Sequence, residues 1–366
     1  MLNIKLLEGD CRETLKTLPE QCVDTCVTSP PYFNLRDYGT AEWEGGDPFC
    51  PHTPLVRNAR TAPESPKQRS NVGSWTVTKG DCTCGAKRID SQIGLEDTPE
   101  GFVQQLVEVF REVRRVLRDD GTIWVNLGDT YAGNRTYQVP DSIRGDVGNS
   151  MPMHAASYGC KPKDLIGIPW MVAFALRNDG WFLRSDIIWH KLNPMPESVT
   201  DRPTKTHEYI FLLSKSEKYY YDAKAIEEPL TAGTDRYKYS YGGAKSEALI
   251  EAGKNGEMGV RTRVMGMREV PTSRNKRSVW SVPVTPYQGA HFATFPEDLI
   301  RPCIRAGSRP GGVVLDTFGG SGTTGRVALD ENRSAILCEL NPKYAAMIRE
   351  RNAIVEGDLF FNDSNP

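Results

Sequence analysis

The sequence lacks any apolar run approaching the ~18 residues that a membrane-spanning helix requires. Its first residues, Met1-Leu2-Asn3-Ile4-Lys5, run straight into a strand-like segment without the long apolar stretch of a signal peptide. It also lacks a charge imbalance. Lys and Arg number 45 against 47 Asp and Glu, a net charge of -2, so the molecule is no polycation. Any surface for nucleic acid must therefore be local. The nine cysteines are odd in number and scattered unevenly, which argues against a disulfide scaffold. The chain reads as cytoplasmic, with most thiols reduced. No internal repeat is present, although Glu-Gly-Asp occurs at both 8–10 and 356–358.

What is there belongs to an ordinary globular protein of 366 residues, 39% hydrophobic and 25% charged, enough for one large or two ordinary domains. Ile4-Lys5-Leu6-Leu7 is a short apolar run, a helix-like stretch follows through Leu15 and Leu18, and Val23 to Val27 is a second strand. Thr98 and Pro99 have the chemistry of an N-cap and first helical residue. After them Phe102, Leu106, Val109, Phe110, Val113 and Leu117 keep helical spacing, with Gly121 as the expected stop. Thr122 to Leu127, Ile187 to Trp189, Tyr209 to Leu213, Val313 to Asp316 and Ala335 to Glu339 read as strands. Helices between strands imply a mainly parallel sheet covered on both faces. Three stretches break the rhythm: 41–92, 133–163 and 226–288. Long irregular segments in a compact fold are usually functional or disordered.

The string Asp316-Thr317-Phe318-Gly319-Gly320-Ser321-Gly322-Thr323-Thr324 follows a strand and precedes a helix. Its glycines permit a tight turn and close approach of a ligand to the backbone. Glu339, at the next strand end, holds the position that hydrogen-bonds ribose hydroxyls in nucleotide-binding βαβ units. The spacing is not that of G-x-G-x-x-G, and no P-loop lysine follows the last glycine, which argues against a triphosphate. The string resembles motif I of the amino-methylating DNA methyltransferases, which holds S-adenosylmethionine.

Val27-Thr28-Ser29-Pro30-Pro31-Tyr32 sits directly after a strand and resembles motif IV of the same family in its Thr-Ser-Pro-Pro-Tyr form. Members acting on adenine N6 more often carry Asp-Pro-Pro-Tyr or Asn-Pro-Pro-Tyr; the Ser form is typical of cytosine-N4 members. An exocyclic amino group is a poor nucleophile, because its lone pair is delocalised into the ring. Acceptors beside its N–H bonds, here the Ser29 hydroxyl and the Pro30 carbonyl, favour a pyramidal nitrogen aimed at the cofactor methyl. Tyr32 offers a face for stacking a flipped base, and Pro30 and Pro31 stiffen the loop.

The motif order, with Ser-Pro-Pro-Tyr first and the cofactor motif near the other end, resembles the β group of circularly permuted members. In that group a target-recognition region lies between the two motifs. The permutation gives Asp10 the family's acidic contact to the cofactor adenine, with Asp358 as rival. Asn193 to Glu197 and Arg202 to Tyr209 look like family sequence beyond the catalytic loop. His291-Phe292-Ala293-Thr294-Phe295-Pro296 looks like motif X, with Phe295 capping the methionine end of the cofactor.

The resemblance implies a circularly permuted, Rossmann-like S-adenosylmethionine-dependent methyltransferase fold. The catalytic domain is then 1–40, 93–225 and 289–366, with an insert at 41–92 and a target-recognition region at 226–288. In the insert, Cys50, His52, Cys82 and Cys84 supply four zinc-type ligands in two tight pairs, and one structural zinc is the reading favoured over four unrelated loop residues. From Arg261 to Arg277 six basic residues (Arg261, Arg263, Arg268, Arg274, Lys276, Arg277) face one acid, Glu269, and Trp280 follows, together a local phosphate-binding footprint. The implied partner is double-stranded DNA with no membrane; a homodimer and a cognate restriction enzyme stay open.

Three rivals remain. A cytosine-C5 methyltransferase needs a Pro-Cys nucleophile, and Pro302-Cys303 exists, though in a predicted helix. Methylation of a protein glutamine or of RNA uses related loops, but the permuted order counts against it. A DNA-binding protein on a dead methyltransferase fold is the third, against which both halves of the site look intact.

Overall fold

The computed structural model describes residues 2–33, 38–52, 81–132, 159–161, 163–230, 273–284 and 295–352. The chain divides into one unit formed by Met1–Tyr221 with Ser278–Pro366 and a smaller one, Asp222–Arg277. The first unit opens with β1 (Ile4–Glu8), the short helix α1 (Cys11–Thr14) and β2 (Val23–Thr28). The insert contributes β3 (Glu42–Glu44) and β4 (Lys87–Ile89). Then come α2 (Pro99–Val116), β5 (Leu117–Leu127), α3 (Ile168–Asn178), β6 (Phe182–Lys191) and β7 (His207–Ser214). The smaller unit carries the two-residue strands β8 (Glu228–Pro229) and β9 (Ser273–Arg274), paired antiparallel. The first unit resumes with β10 (Val279–Val282), α4 (Glu297–Gly307), β11 (Val313–Asp316), α5 (Thr323–Asp330), β12 (Ser334–Glu339) and α6 (Pro342–Asn352).

Eight strands form one sheet in the order β1-β12-β11-β2-β5-β7-β6-β10. Only β7 runs against its neighbours; the other pairs are parallel. Alternation along the strands produces the two covering layers. On one face Cys26, Ile123, Val125 and Leu127 join Phe102, Leu106, Phe110 and Val113 of α2 and Val172 and Leu176 of α3 in the main core. Removing a ring such as Phe110 from this layer should cost about 3–5 kcal/mol. The intervening residues Thr25, Thr122 and Trp124 face α4. A side chain at Gly307 would fall 2.6 Å from Thr25 Oγ1 and 2.8 Å from Trp124 Nε1, so glycine lets this helix settle on the sheet. The two buried threonines satisfy each other, Thr25 Oγ1 donating to the Thr122 carbonyl at 3.0 Å. The architecture is the expected α/β, Rossmann-like one, a mainly parallel sheet between helices, with the strands of the cofactor half last in the chain.

The structure corrects two details. Gly121 does not end α2: the helix stops at Val116, Leu117 already has extended angles (φ -71, ψ 141), and Gly121 lies inside β5. There a side chain would sit 3.0 Å from the Asp24 carbonyl, so this glycine serves a close strand approach. Second, the stretch 226–288 is not wholly irregular. Val279–Val282 is an edge strand beside β6, and Trp280 is buried near Trp124 in the sheet rather than extending the basic segment. Among the described residues, no helix is long and apolar enough to cross a membrane.

Candidate active site at the carboxyl edge of the sheet

Strands β11, β2 and β5 end together at one edge, the place where open α/β sheets bind ligands. Asp316 ends β11. Its carboxylate accepts hydrogen bonds from Thr28 Oγ1 at 2.6 Å, Thr324 Oγ1 at 2.5 Å and the Phe318 amide at 3.0 Å. Burial nevertheless pushes its pKa up to about 6 against those donors. Thr317 completes the junction, its hydroxyl 3.2 Å from that of Thr28.

Beyond Asp316 the chain turns tightly. Gly320 (φ 53) and Gly322 (φ 78) take left-handed angles that a side chain resists, and a Cβ on Gly322 would meet Asn352 Nδ2 at 2.5 Å. The Gly319 amide donates to the Cys338 carbonyl at 2.7 Å, tying the turn to β12. Glu339 ends β12 and accepts from the Gly320 amide at 2.7 Å and the Asn341 amide at 2.8 Å. Burial drives its pKa up to about 7 despite these bonds. Arg351 of α6, which sequence reading missed, donates to Ser321 Oγ and Thr323 Oγ1 at 3.0 Å and pairs with Glu297 at 2.9 Å. Ser321 and Thr323 are buried, and Phe318 packs against the main core.

Asp10 follows β1 next to this turn, since the Gly9 amide donates to the Glu339 carbonyl at 2.9 Å. Its carboxylate caps α1 through the Arg12 amide at 2.8 Å and accepts from Arg12 Nε at 3.0 Å. Phe295 stands half-buried before α4, while His291 to Thr294 and Asp358 lie outside the described residues.

The second half of the site leaves β2. Ser29 follows Thr28 directly, so the bond from Thr28 to Asp316 fixes the loop to the turn within one residue of Ser29. Pro30 is buried; Ser29, Pro31 and Tyr32 are half-buried. The Tyr32 hydroxyl donates to Glu208 Oε2 at 2.6 Å. Desolvation, reinforced by the Glu208 charge, holds this phenol well above its ordinary range. Glu208 also accepts from Asn126 Nδ2 at 3.2 Å and from Lys191 Nζ, and the Lys191 ammonium lies 4.6 Å from the Trp189 ring centre. Because β7 is antiparallel, its first residues reach the edge where β5 and β6 end, which gathers Asn126, Lys191 and Glu208 around Tyr32. Gly128 leaves room for the ring: a Cβ there would come within 2.6 Å of it.

None of these three partners was assigned from sequence. The available signals were a polar Asn126 inside a buried strand and an acid at the start of the apolar strand β7.

The four ligand-type side chains of the insert also converge. Cys50, His52, Cys82 and Cys84 place their ligand atoms within 4.8 Å of one another. Of the basic residues, Arg261, Arg263 and Arg268 lie outside the described residues. In the smaller unit Arg274 and Arg277 both pair with Glu228, at 2.9 and 2.6 Å, and Lys276 is half-buried. Cys303 of the Pro-Cys pair is fully buried within α4, with its thiol on the Leu299 carbonyl, and is no nucleophile for C5 chemistry.

Comparison with known proteins agrees with this geometry. The chain is 41% identical over 351 residues to the Type II methyltransferase M.XycI of Xanthomonas campestris pv. cyanopsidis, covering 94% of this chain and 86% of that protein. It is 42% identical to M.Cfr9I of Citrobacter freundii (93% and 84% covered) and 40% identical to M.SmaI of Serratia marcescens (95% and 90%). The fold is similar to that of the cytosine-N4-specific PvuII DNA methyltransferase, with a TM-score of 0.54 at 17% identity, over 98% of this chain and 88% of that one. A Thermus thermophilus protein described as a putative DNA modification methylase, complexed with S-adenosyl-L-methionine, matches with a TM-score of 0.50 at 22% identity, over 95% and 93%. With the DNA methylase model of N6- and N4-methylating enzymes matching residues 23–350, the chain belongs to that family of DNA methyltransferases.

Proposed function

We propose that the chain transfers the methyl group of S-adenosylmethionine to the exocyclic N4 of cytosine in double-stranded DNA. The observation that carries this reading is the Thr28–Asp316 bond, which joins the transfer loop to the glycine turn one residue before Ser29. S-adenosylmethionine is the methyl donor. Glu339 would hold its ribose hydroxyls, Asp10 would lie near its adenine, and the turn from Asp316 to Thr323 would hold its methionine end, with Phe295 as cap.

The target base must leave the duplex to reach this edge. Tyr32 stacks on it, held by Glu208, while Ser29 Oγ and the Pro30 carbonyl accept from its amino group. With the amino lone pair freed, in-line displacement forms the N–CH3 bond and breaks the S–CH3 bond. S-adenosylhomocysteine leaves, and the amino proton passes to solvent. Positioning supplies much of the rate.

Cytosine is favoured over adenine because Ser29 is short. A one-ring base can then sit at the right depth, whereas Asp or Asn at this position reaches farther. The basic residues Arg261, Arg263, Arg268, Arg274, Lys276 and Arg277 belong in this reading to the segment that contacts DNA phosphates. The Type II names of the curated relatives favour a modification role beside a restriction enzyme. Nucleosides from DNA exposed to the protein, separated by mass spectrometry, test the target. N4-methyl-2′-deoxycytidine is expected, and N6-methyl-2′-deoxyadenosine without it overturns the choice of base.

A further inference from the structure

Among its described residues, the insert before α2 has almost no apolar core. In its described parts, 41–52 and 81–92, Cys82, Ala86 and Gln92 are the buried side chains, while Phe49 stands 94% exposed. So little buried apolar surface does not offset the entropy of ordering such a segment. Yet its backbone is specific. The Cys82 amide donates to the Ala86 carbonyl at 2.8 Å and the Gly85 amide to the Cys82 carbonyl at 3.0 Å, closing a tight knuckle with Gly85 at φ +89. His52 itself takes a left-handed φ of 41, uncommon for a non-glycine residue. Its ring lies 5.6 Å from that of Trp43, which holds it in place. Gly46 admits no side chain, because a Cβ would meet Cys84 Sγ at 2.8 Å.

These constraints aim four ligand atoms at one point. Cys50 Sγ lies 3.6 Å from Cys82 Sγ, and Cys84 Sγ 3.3 Å from His52 Nδ1. The sulfur pair is far beyond the ~2.05 Å of a disulfide. A tetrahedral zinc with Zn–S of ~2.3 Å and Zn–N of ~2.0 Å sets neighbouring ligand atoms about 3.5–3.8 Å apart. Both close pairs approximate edges of that tetrahedron. Three thiolates and an imidazole suit zinc, and four protein ligands leave no open position, so the metal's role is structural.

We propose that Cys50, His52, Cys82 and Cys84 bind one zinc ion that clamps the far end of the β3–β4 hairpin. The near end of that hairpin is closed by two bonds between its arms. Thr40 Oγ1 bonds Asp90 Oδ1 at 3.1 Å, and the Tyr38 amide donates to Gln92 Oε1 at 2.7 Å. Next along the chain, a side chain on Gly94 would sit 3.1 Å from the Tyr32 carbonyl, so the segment leaving the clamp passes close against the loop itself. The ion thus acts as a staple for one flank of the pocket, whichever base is methylated.

Full-length protein prepared without chelator should carry about one zinc per chain by elemental mass spectrometry. Replacing zinc by cobalt(II) should give thiolate charge-transfer absorption together with intense tetrahedral ligand-field bands. The double variant Cys82→Ser/Cys84→Ser should lose the metal, whereas Cys160→Ser, outside the cluster, should keep it. Chelation of the wild type should open 81–92 to proteases. The proposal is overturned by wild-type protein that neither contains zinc nor takes it up from zinc salt. A weak octahedral cobalt spectrum, or full zinc retention in the double variant, overturns it equally. Should the variant fail to fold, the wild-type cobalt spectrum decides alone.

Discussion

The glycine turn after β11 and the loop after β2 lie beside each other on one sheet edge and are held in different ways. In the turn the backbone does most of the holding: amides of Phe318, Gly319 and Gly320 bond Asp316, Cys338 and Glu339, all within one βαβ unit. In the loop side chains hold, and they come from β5, β6 and β7, far away in sequence. A cradle built on backbone tolerates little change at its glycines and carboxylates, and Thr28, Thr324 and Arg351 brace it further. A loop held by side chains can be loosened one partner at a time.

The largest effect that separates the two halves should come from Ser29→Ala. Turnover should fall by about 100-fold or more, as when one positioned polar contact to the reacting group is lost. Cofactor affinity by calorimetry should stay near wild type. Wild-type turnover in this variant would remove Ser29 from the chemistry.

Asp316→Ala should do what Ser29→Ala does not. It strips Thr28, Thr324 and the Phe318 amide of their shared acceptor, so cofactor binding should weaken by roughly tenfold to 100-fold and stability should drop by about 1–3 kcal/mol. Unchanged affinity here and in Glu339→Ala would sink the cradle assignment.

A pH titration sharpens the same division. Asp316 is raised from 3.8 to about 6 and Glu339 from 4.5 to about 7, mainly by burial. The folded chain thus binds protons that the unfolded chain has lost. Their contribution to apo stability is full below about pH 4 and is lost as pH rises through about 6 and 7. Cofactor binding should run the other way if, as proposed, ribose hydroxyls donate to ionised Glu339. Affinity should fall by up to about tenfold per pH unit below about 7, and Glu339→Gln should flatten the profile. A flat wild-type profile breaks the link between Glu339 and the cofactor.

The smaller effects belong to the loop. Gly128→Ala pushes a methyl into the Tyr32 ring and should lower turnover about tenfold with cofactor affinity kept, reading out ring position alone. Tyr32→Phe keeps the stacking face and removes the bond to Glu208, worth about 1 kcal/mol. It should cost a few-fold in turnover, read from single-turnover assays. A larger loss in Tyr32→Phe than in Gly128→Ala would mean that the hydroxyl matters more than ring placement.

The sequence by itself determined most strands of the central sheet, because buried strands are short apolar runs and their ends carry recognisable turns. It also determined both motifs, because the glycine string and Ser-Pro-Pro-Tyr are each contiguous runs. The Cys/His residues that converge in the insert could be named for the same reason, as two short clusters. What it could not determine is what lies across the sheet. The end of α2 was misplaced at Gly121, because a glycine that allows Asp24 to approach looks the same in sequence as one that stops a helix. Trp280 was read with the basic segment, whereas pairing with β6 puts it in the sheet, and no local pattern encodes which edge a four-residue strand joins. Only the reversal of β7 brings Glu208 to Tyr32, from 176 residues away. Hydrogen bonds at that separation are products of topology, and topology is decided by packing the whole core rather than by any one stretch of chain.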